Sequence, residues 1–174
     1  MINTKEITPY LTESELQKGI EELSDKLNNL YKDEELYMIC VLKGAVMFGV
    51  DLAKRLTMPL RMEFIRLSSY GSGTTSTGKV NAVDISLPDL DNKNVLIVED
   101  IIDTGHTAKF LTDFINHNFR TKSLKFCSLL DKKVKREVNI DADFYCFEVE
   151  DKFLVGYGLD LNNQYRNLPF IGYI

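Results

Sequence analysis

The chain has 174 residues, 44% of them hydrophobic and 27% charged, which suits a single globular domain with one sizeable core and excludes a disordered polymer. Its formal charge of -5 argues against a broad nucleic-acid surface. Residues 1–9 carry no apolar signal-peptide stretch, and no run approaches the roughly 18 apolar residues of a membrane span, so the cytoplasm is the expected location. Cys40, Cys127 and Cys146 are odd in number, widely spaced and set in apolar segments, as buried free thiols would be.

Thr12 and Glu15 form a capping box, and Leu16, Ile20, Leu23, Leu27 and Leu30 follow at helical spacing, so the first helix has one apolar stripe facing the core. Leu36 to Leu42 reads as a buried strand, Lys43-Gly44 as its exit, and Ala45 to Leu56 as a helix ending near Thr57-Met58-Pro59. Leu60 to Leu67 is the next strand. Ser68 to Gly78 is almost without aliphatic side chains and cannot build a core; it is either a hairpin tip or a lid, and Tyr70 is out of place in the former. Val80, Ala82, Val83, Ile85 and Leu87 suggest a returning strand.

Leu90 to Asn94 is a turn, Val95 to Val98 a central strand, and Thr107 to about Phe119 a helix with Phe110, Leu111, Phe114 and Ile115 inward. Leu124 to Leu130 is a further strand. A basic stretch follows, in which Lys133, Lys135 and Arg136 read as solvated charge. Phe144 to Val149 and Phe153 to Tyr157 are strands, with Phe144 and Phe147 in the core, and the apolar tail Leu168 to Ile174 packs back on the body. Strand-loop-helix units of this kind build an α/β fold with a central, mostly parallel, twisted sheet flanked by helices. There is no internal repeat and no linker.

The chemistry concentrates in Val95-Leu96-Ile97-Val98-Glu99-Asp100-Ile101-Ile102-Asp103-Thr104-Gly105-His106-Thr107. In open α/β sheets ligands bind beyond the carboxyl ends of the strands, where Glu99, Asp100 and Asp103 are expected to fall. Adjacent carboxylates there can hold a sugar diol or a hydrated magnesium ion. Asp103 to Thr107 supplies small and hydroxylated residues, a glycine and consecutive N–H groups at a helix N-terminus, the makings of a phosphate site. Asp-Thr-Gly also occurs in aspartic proteases, but here it opens a helix after a parallel-type strand. Gly71 to Lys79 lacks the spacing and the strand-to-helix context of a P-loop. His106 and His117 are the only histidines, and neither is spaced with a cysteine as a zinc ligand set; His117 is expected at the surface of its helix.

Residues 95–107 resemble the diphosphate-ribose motif of the type I phosphoribosyltransferases, and Asp103 directs the likeness to the 6-oxopurine (hypoxanthine-guanine) branch of bacterial type. The resemblance extends through Leu42-Lys43-Gly44, Ser69-Tyr70, Leu129 to Lys132, Asp151 to Asp160, and Tyr165-Arg166. It implies one domain over 1–174, with a small hood from about 1–10 and 140–174 and a mobile lid at about 68–79. It also implies transfer of the 5-phosphoribosyl group of phosphoribosyl diphosphate to N9 of a 6-oxopurine base, with Mg2+ as cofactor, and a homodimer or homotetramer without nucleic-acid or membrane partners.

The residue roles follow from the same resemblance. Glu99 and Asp100 would hold the ribose hydroxyls directly or through the metal, and Asp160 would ligate a second magnesium. Thr104, Gly105, His106 and Thr107 would wrap the 5′-phosphate with Asp103, which would itself face N7 of the base and act in proton transfer. Lys43, Gly44 and Arg166 would meet the diphosphate, and a cis peptide often precedes the lysine in this family. Lys132 would donate to the oxygen at C6, Phe153 would stack on the purine, and the backbone at Lys152 and Leu154 would read its edge. Ser69 and Tyr70 would belong to the lid. A lysine donor favours an oxo over an amino group, which argues against adenine. His106 stands where some relatives have lysine or arginine, and the chain ends at Tyr173-Ile174, short of many members, which bears on hood packing or assembly. The alternatives are a preference for xanthine and an RNA-binding regulator on the same fold, for which an acidic chain is poorly suited.

Overall fold

Thr12 opens helix α1 (Glu13–Tyr31) through the predicted capping box: its hydroxyl accepts from Glu15 N–H at 3.3 Å, and the Glu15 carboxylate accepts from Thr12 N–H at 2.8 Å. Leu16, Ile20, Leu23 and Leu27 are buried as the stripe requires, but Leu30 is 52% exposed and Tyr31 takes the next inward position. The seam thus continues at i+4 from Leu27 and not at i+3. The computed structural model describes residues 7–69 and 80–174, with the side chains of 68, 69 and 80–84 outside that description.

Six strands form the main sheet: β2 (Leu36–Leu42), β3 (Leu60–Ser69), β4 (Val80–Asp84), β5 (Asn94–Ile102), β6 (Ser123–Asp131) and β7 (Phe144–Glu148). Their order is β4-β3-β2-β5-β6-β7; all neighbours pair in parallel except β4, which returns antiparallel along β3. Helix α2 (Val46–Ala53) links β2 to β3, and α3 (His106–Asn118) links β5 to β6. The chain therefore moves outward in opposite directions from β2 and β5, and the crevice at their carboxyl ends is the switch point where such sheets bind ligands. One face of the sheet is covered by α1 and α2 over Met38, Leu96 and Val98, the other by α3 over Ile39, Val95 and Ile97. Helix α2 stops at Ala53, short of Leu56, because Arg55 and Leu56 N–H turn to Leu52 and Ala53 O and tighten the last turn.

Strand β5 outruns its prediction. Glu99, Ile101 and Ile102 keep ladder partners on β6 (Ser128, Leu130 and Asp131), whereas pairing with β2 ends at Cys40 and Val98. Glu99 and Asp100 thus lie on the strand itself, beside the opening left by β2, and not beyond its end.

A second, antiparallel sheet has the order β1-β9-β8, built from β1 (Thr8–Leu11), β8 (Leu154–Val155) and β9 (Ile171–Tyr173). The tail does pack back, as a strand. The strand expected over Phe153 to Tyr157 shrinks to β8 because Gly156, Tyr157 and Gly158 take φ values of 98°, 48° and 102°. β7, which the 140–174 hood segment includes, belongs to the main sheet instead. Phe144 and Phe147 are partly buried against the α1 side. The three cysteines are free thiols, Cys40 and Cys127 buried and Cys146 partly so. Of the expected lid, Tyr70 and the residues to 79 lie outside the described residues, and Ser69 is a backbone position at the end of β3.

Candidate active site

The exit of β2 and the middle of β5 meet at a contact that only glycine permits. A Cβ on Gly44 would lie 1.6 Å from Asp100 Oδ2, and one on Gly158 would lie 2.0 Å from Gly44 O. The Leu42–Lys43 peptide before this loop is cis. Together with Glu99, Thr107, Asp160 and Arg166, this corner encloses a cavity of about 220 Å³. Arg166 donates through Nη1 to Gly158 O at 2.6 Å and pairs through Nη2 with Asp160 Oδ1 at 2.5 Å; Asp160 Oδ2 accepts from Asn163 N–H at 2.7 Å. Lys43 does not line the cavity; its side chain is exposed.

Burial dominates the electrostatics here. It pushes the Asp100 carboxyl up to about 6, against the backbone N–H of Ile101, which donates to Oδ1 at 2.9 Å. Glu99 is raised well above the usual carboxylate range, first by burial and then by the charge of Asp100, and its Oε2 has no hydrogen-bond partner among the described residues. An orphaned, buried carboxylate oxygen is costly unless something polar meets it.

A smaller cavity of about 70 Å³ adjoins through Glu99 and Thr107 and is formed by the turn Asp103 to Thr107. Gly105 caps α3 with φ 89°, a left-handed conformation that glycine allows without strain. The first backbone bond of α3 runs from Lys109 N–H to Gly105 O, so the N–H groups before it are available to an anion. Asp103 Oδ1 is buried and has no partner among the described residues. The side chain of His106 turns to Glu137, with 2.9 Å between Nε2 and the carboxylate, leaving its N–H as its contribution to the turn.

At the other side, Lys132 follows the last residue of β6, and its N–H donates to Ile102 O at 2.9 Å. Only 7% exposed, it donates through Nζ to Lys152 O at 2.9 Å. The Lys152 ammonium pairs with Glu150 at 2.8 Å and lies 4.9 and 4.5 Å from the ring centres of Tyr10 and Tyr173, tying the 150–154 segment to β1 and β9. Leu154 is buried in β8, while the Phe153 side chain is 51% exposed.

The basic stretch divides. Lys133 and Lys135 form surface pairs with Glu148 and Asp151, as solvated charge should. Arg136 does not: its side chain is 12% exposed and ion-pairs with the buried Asp131. Sequence reasoning missed this pair because two of Arg136's other acceptors, the carbonyls of Asp103 and Ile140, carry no side-chain signal. His117 is exposed in the last turn of α3, as expected. Among the described residues, no three histidine, cysteine or carboxylate side chains gather as a metal cage. No helix of the described residues is long and apolar enough to cross a membrane.

A mostly parallel sheet with a glycine-capped turn and carboxylates at its switch point defines a class, and the model of the phosphoribosyl transferase domain matches residues 8–162. The chain belongs to the phosphoribosyl transferase domain family. It is 43% identical over 162 residues to the hypoxanthine-guanine phosphoribosyltransferase of Bacillus subtilis, covering 93% of this chain and 89% of that protein. It is 44% identical to the bifunctional protein TilS/HprT of Listeria monocytogenes, of whose length it spans 25%. The crystal structure of a Bacillus anthracis hypoxanthine-guanine phosphoribosyltransferase superposes with a TM-score of 0.91 at 40% identity, over 97% of this chain and 99% of that one. A hypoxanthine phosphoribosyltransferase from Staphylococcus aureus gives 0.92 at 38% identity, over 100% and 96%. Within the family, the chain stands on the hypoxanthine-guanine branch.

Proposed function

We propose that this chain transfers the 5-phosphoribosyl group of phosphoribosyl diphosphate to N9 of hypoxanthine or guanine, giving IMP or GMP and diphosphate in cytoplasmic purine salvage. The observation that carries the reading is the pair of buried carboxylate oxygens without a partner among the described residues, Glu99 Oε2 and Asp103 Oδ1, on the walls of two adjoining cavities. Ribose hydroxyls and a purine N–H are the donors that these acceptors lack.

On this reading the turn Asp103 to Thr107 holds the 5′-phosphate, and Glu99 with Asp100 holds the ribose. Gly44 and Arg166, with Lys43 nearby, meet the diphosphate. As the bond from C1′ to the diphosphate oxygen breaks and N9 bonds to C1′, positive charge develops on the ribose beside Glu99 and Asp100 and is offset there. Asp103 accepts the proton at N7. Lys132 leaves Lys152 O to donate to the oxygen at C6, Phe153 covers the purine, and the backbone at Lys152 and Leu154 reads its edge.

Magnesium fits this donor set. Glu99 and Asp100 are hard oxygen ligands whose ionised forms burial disfavours until a cation arrives, and Asp160 stands across the same cavity. A hydrated Mg2+ takes one or two carboxylates plus substrate oxygens, so no three-ligand cage is required. When bound, the ion neutralises charge on the diphosphate as it leaves. A homodimer or homotetramer is the proposed assembly, read by light scattering.

The decisive experiment supplies phosphoribosyl diphosphate, magnesium and, separately, hypoxanthine, guanine, xanthine and adenine, and measures nucleotide formed. IMP and GMP are expected. Activity with adenine alone overturns the Lys132 argument, and xanthosine monophosphate as the main product moves the preference to xanthine. Tight, salt-dependent RNA binding with no nucleotide synthesis replaces the enzyme by a regulator.

A further inference from the structure

We infer that Arg136 is a positioning residue that holds the phosphate turn and the proton acceptor Asp103 in working geometry. The inference rests on the proposed function. It concerns a residue whose position in the sequence suggests only surface charge.

Three observations converge. First, Arg136 is an almost buried cation with acceptors on every side: Asp131, the carbonyls of Asp103 (3.2 Å from Nε) and Ile140, and Asp141 at 3.3 Å. A planar fork of five donors can satisfy such a set; a lysine ammonium cannot reach it from one point. Second, the arm of Arg136 packs on the turn, since a Cβ on Gly105 would lie 2.9 Å from its Cδ. Third, its neighbours grip the residues that follow Asp103. Glu137 N–H donates to Thr104 O at 2.9 Å, Val138 N–H to the same oxygen at 3.3 Å, and the Glu137 carboxylate meets His106.

The segment 136–138 is therefore a bracket on all four residues from Asp103 to His106, with the guanidinium at its centre. The bracket reaches further through Asp131, which precedes Lys132 at the end of β6. One side chain thus ties the proton acceptor of the proposed reaction to the strand that presents its base-reading lysine. N–H donors aimed at an anion act only if they are held before the anion arrives, and this bracket holds them. The diphosphate corner at Gly44, Asp160 and Arg166 does not share these contacts, so the two ends of the substrate should respond differently when the bracket is loosened.

The test compares wild type, Arg136→Lys and Asp131→Asn for IMP formation, for binding of IMP and of magnesium diphosphate by calorimetry, and for melting temperature. Both variants are expected to lose roughly 10- to 100-fold in kcat and in IMP affinity while diphosphate affinity stays at the wild-type value. If Arg136→Lys fails to fold, Asp131→Asn, which keeps the shape of the pair, carries the comparison. Parallel loss of IMP and diphosphate affinity with a falling melting temperature would show a purely structural role and overturn the inference. Unchanged kcat and IMP affinity would do the same. Wild-type protein that makes no nucleotide overturns the functional reading itself, a result distinct from active wild type with unaffected variants.

Discussion

Gly44 and Asp100 are in contact across the mouth of the sheet with no space for one more carbon: a Cβ on the glycine would sit 1.6 Å from Asp100 Oδ2 and 2.4 Å from its Cγ. The carboxylate cannot simply swing away, because its other oxygen is held by Ile101 N–H at 2.9 Å and the residue is half-buried. Gly44→Ala should displace the loop proposed to meet the diphosphate. We expect KM for phosphoribosyl diphosphate to rise about 10- to 100-fold, from an ångström-scale misplacement, with a smaller change in KM for hypoxanthine. Steady-state kinetics with each substrate varied in turn check this.

Asp103 offers a cleaner separation of roles. Its backbone begins the proposed phosphate turn while its Oδ1 is buried with no partner among the described residues, so the carboxylate is free for proton transfer without being needed to shape the turn. Asp103→Asn keeps the shape and removes the proton acceptor. The expected outcome is a fall in kcat of about 10²- to 10⁴-fold with little change in phosphoribosyl diphosphate affinity, read by pre-steady-state and binding measurements. Unchanged turnover would remove Asp103 from the reaction.

The carboxylates of β5 should leave a signature in stability. Burial raises the Asp100 carboxyl from 3.8 to about 6, and Glu99 moves in the same direction. A folded-state pKa above the unfolded one means that the folded state holds protons that the unfolded state has released. The contribution is thus complete below about pH 4 and lost as pH rises through about 6. For Asp100 the loss is about 3 kcal/mol, one pKa step being worth about 1.4 kcal/mol. Urea unfolding of chelator-treated protein should show wild type losing more stability than Asp100→Asn between about pH 4 and pH 7. Equal pH profiles would contradict the buried charge pair.

Much of this architecture is legible in the chain. Helix α1 follows from the Thr12–Glu15 box and its apolar stripe, and β2 from seven consecutive residues whose one hydroxyl-bearing member is Tyr37. The Glu99 to Thr107 run announces ribose-phosphate chemistry because an apolar strand requires none of those polar groups. The rest depends on partners distant in sequence. β1 is four residues containing Pro9, and it exists because β9, at the far end of the chain, supplies its ladder. That Glu99 and Asp100 lie within β5 depends on how far β6 runs beside them. Arg136 gives no local sign, since two of its acceptors are backbone carbonyls brought in by the turn at 103 and the loop at 140.

Lys132 carries the last prediction. Lys132 is 7% exposed and its ammonium donates to Lys152 O at 2.9 Å, with Asp151 4.0 Å away, so the charge is held by a backbone carbonyl at the edge of the segment proposed to read the base. A 6-oxopurine can replace that carbonyl with its own oxygen, whereas the amino group of adenine offers only another donor. Lys132→Met keeps all but the last atom of the side chain's length and removes every side-chain donor. It leaves Lys152 O without its partner, for a stability cost of about 1 to 3 kcal/mol. Catalytically, kcat/KM for hypoxanthine should fall by at least about 10³-fold, since a site built to bond a particular oxygen loses most when that bond is absent. Adenine should gain relative to hypoxanthine because the repulsion between donors is gone. The ratio of kcat/KM for the two bases, measured in wild type and variant at a temperature where both are folded, decides the matter. A ratio that does not move assigns base selection to the backbone at Lys152 and Leu154 instead.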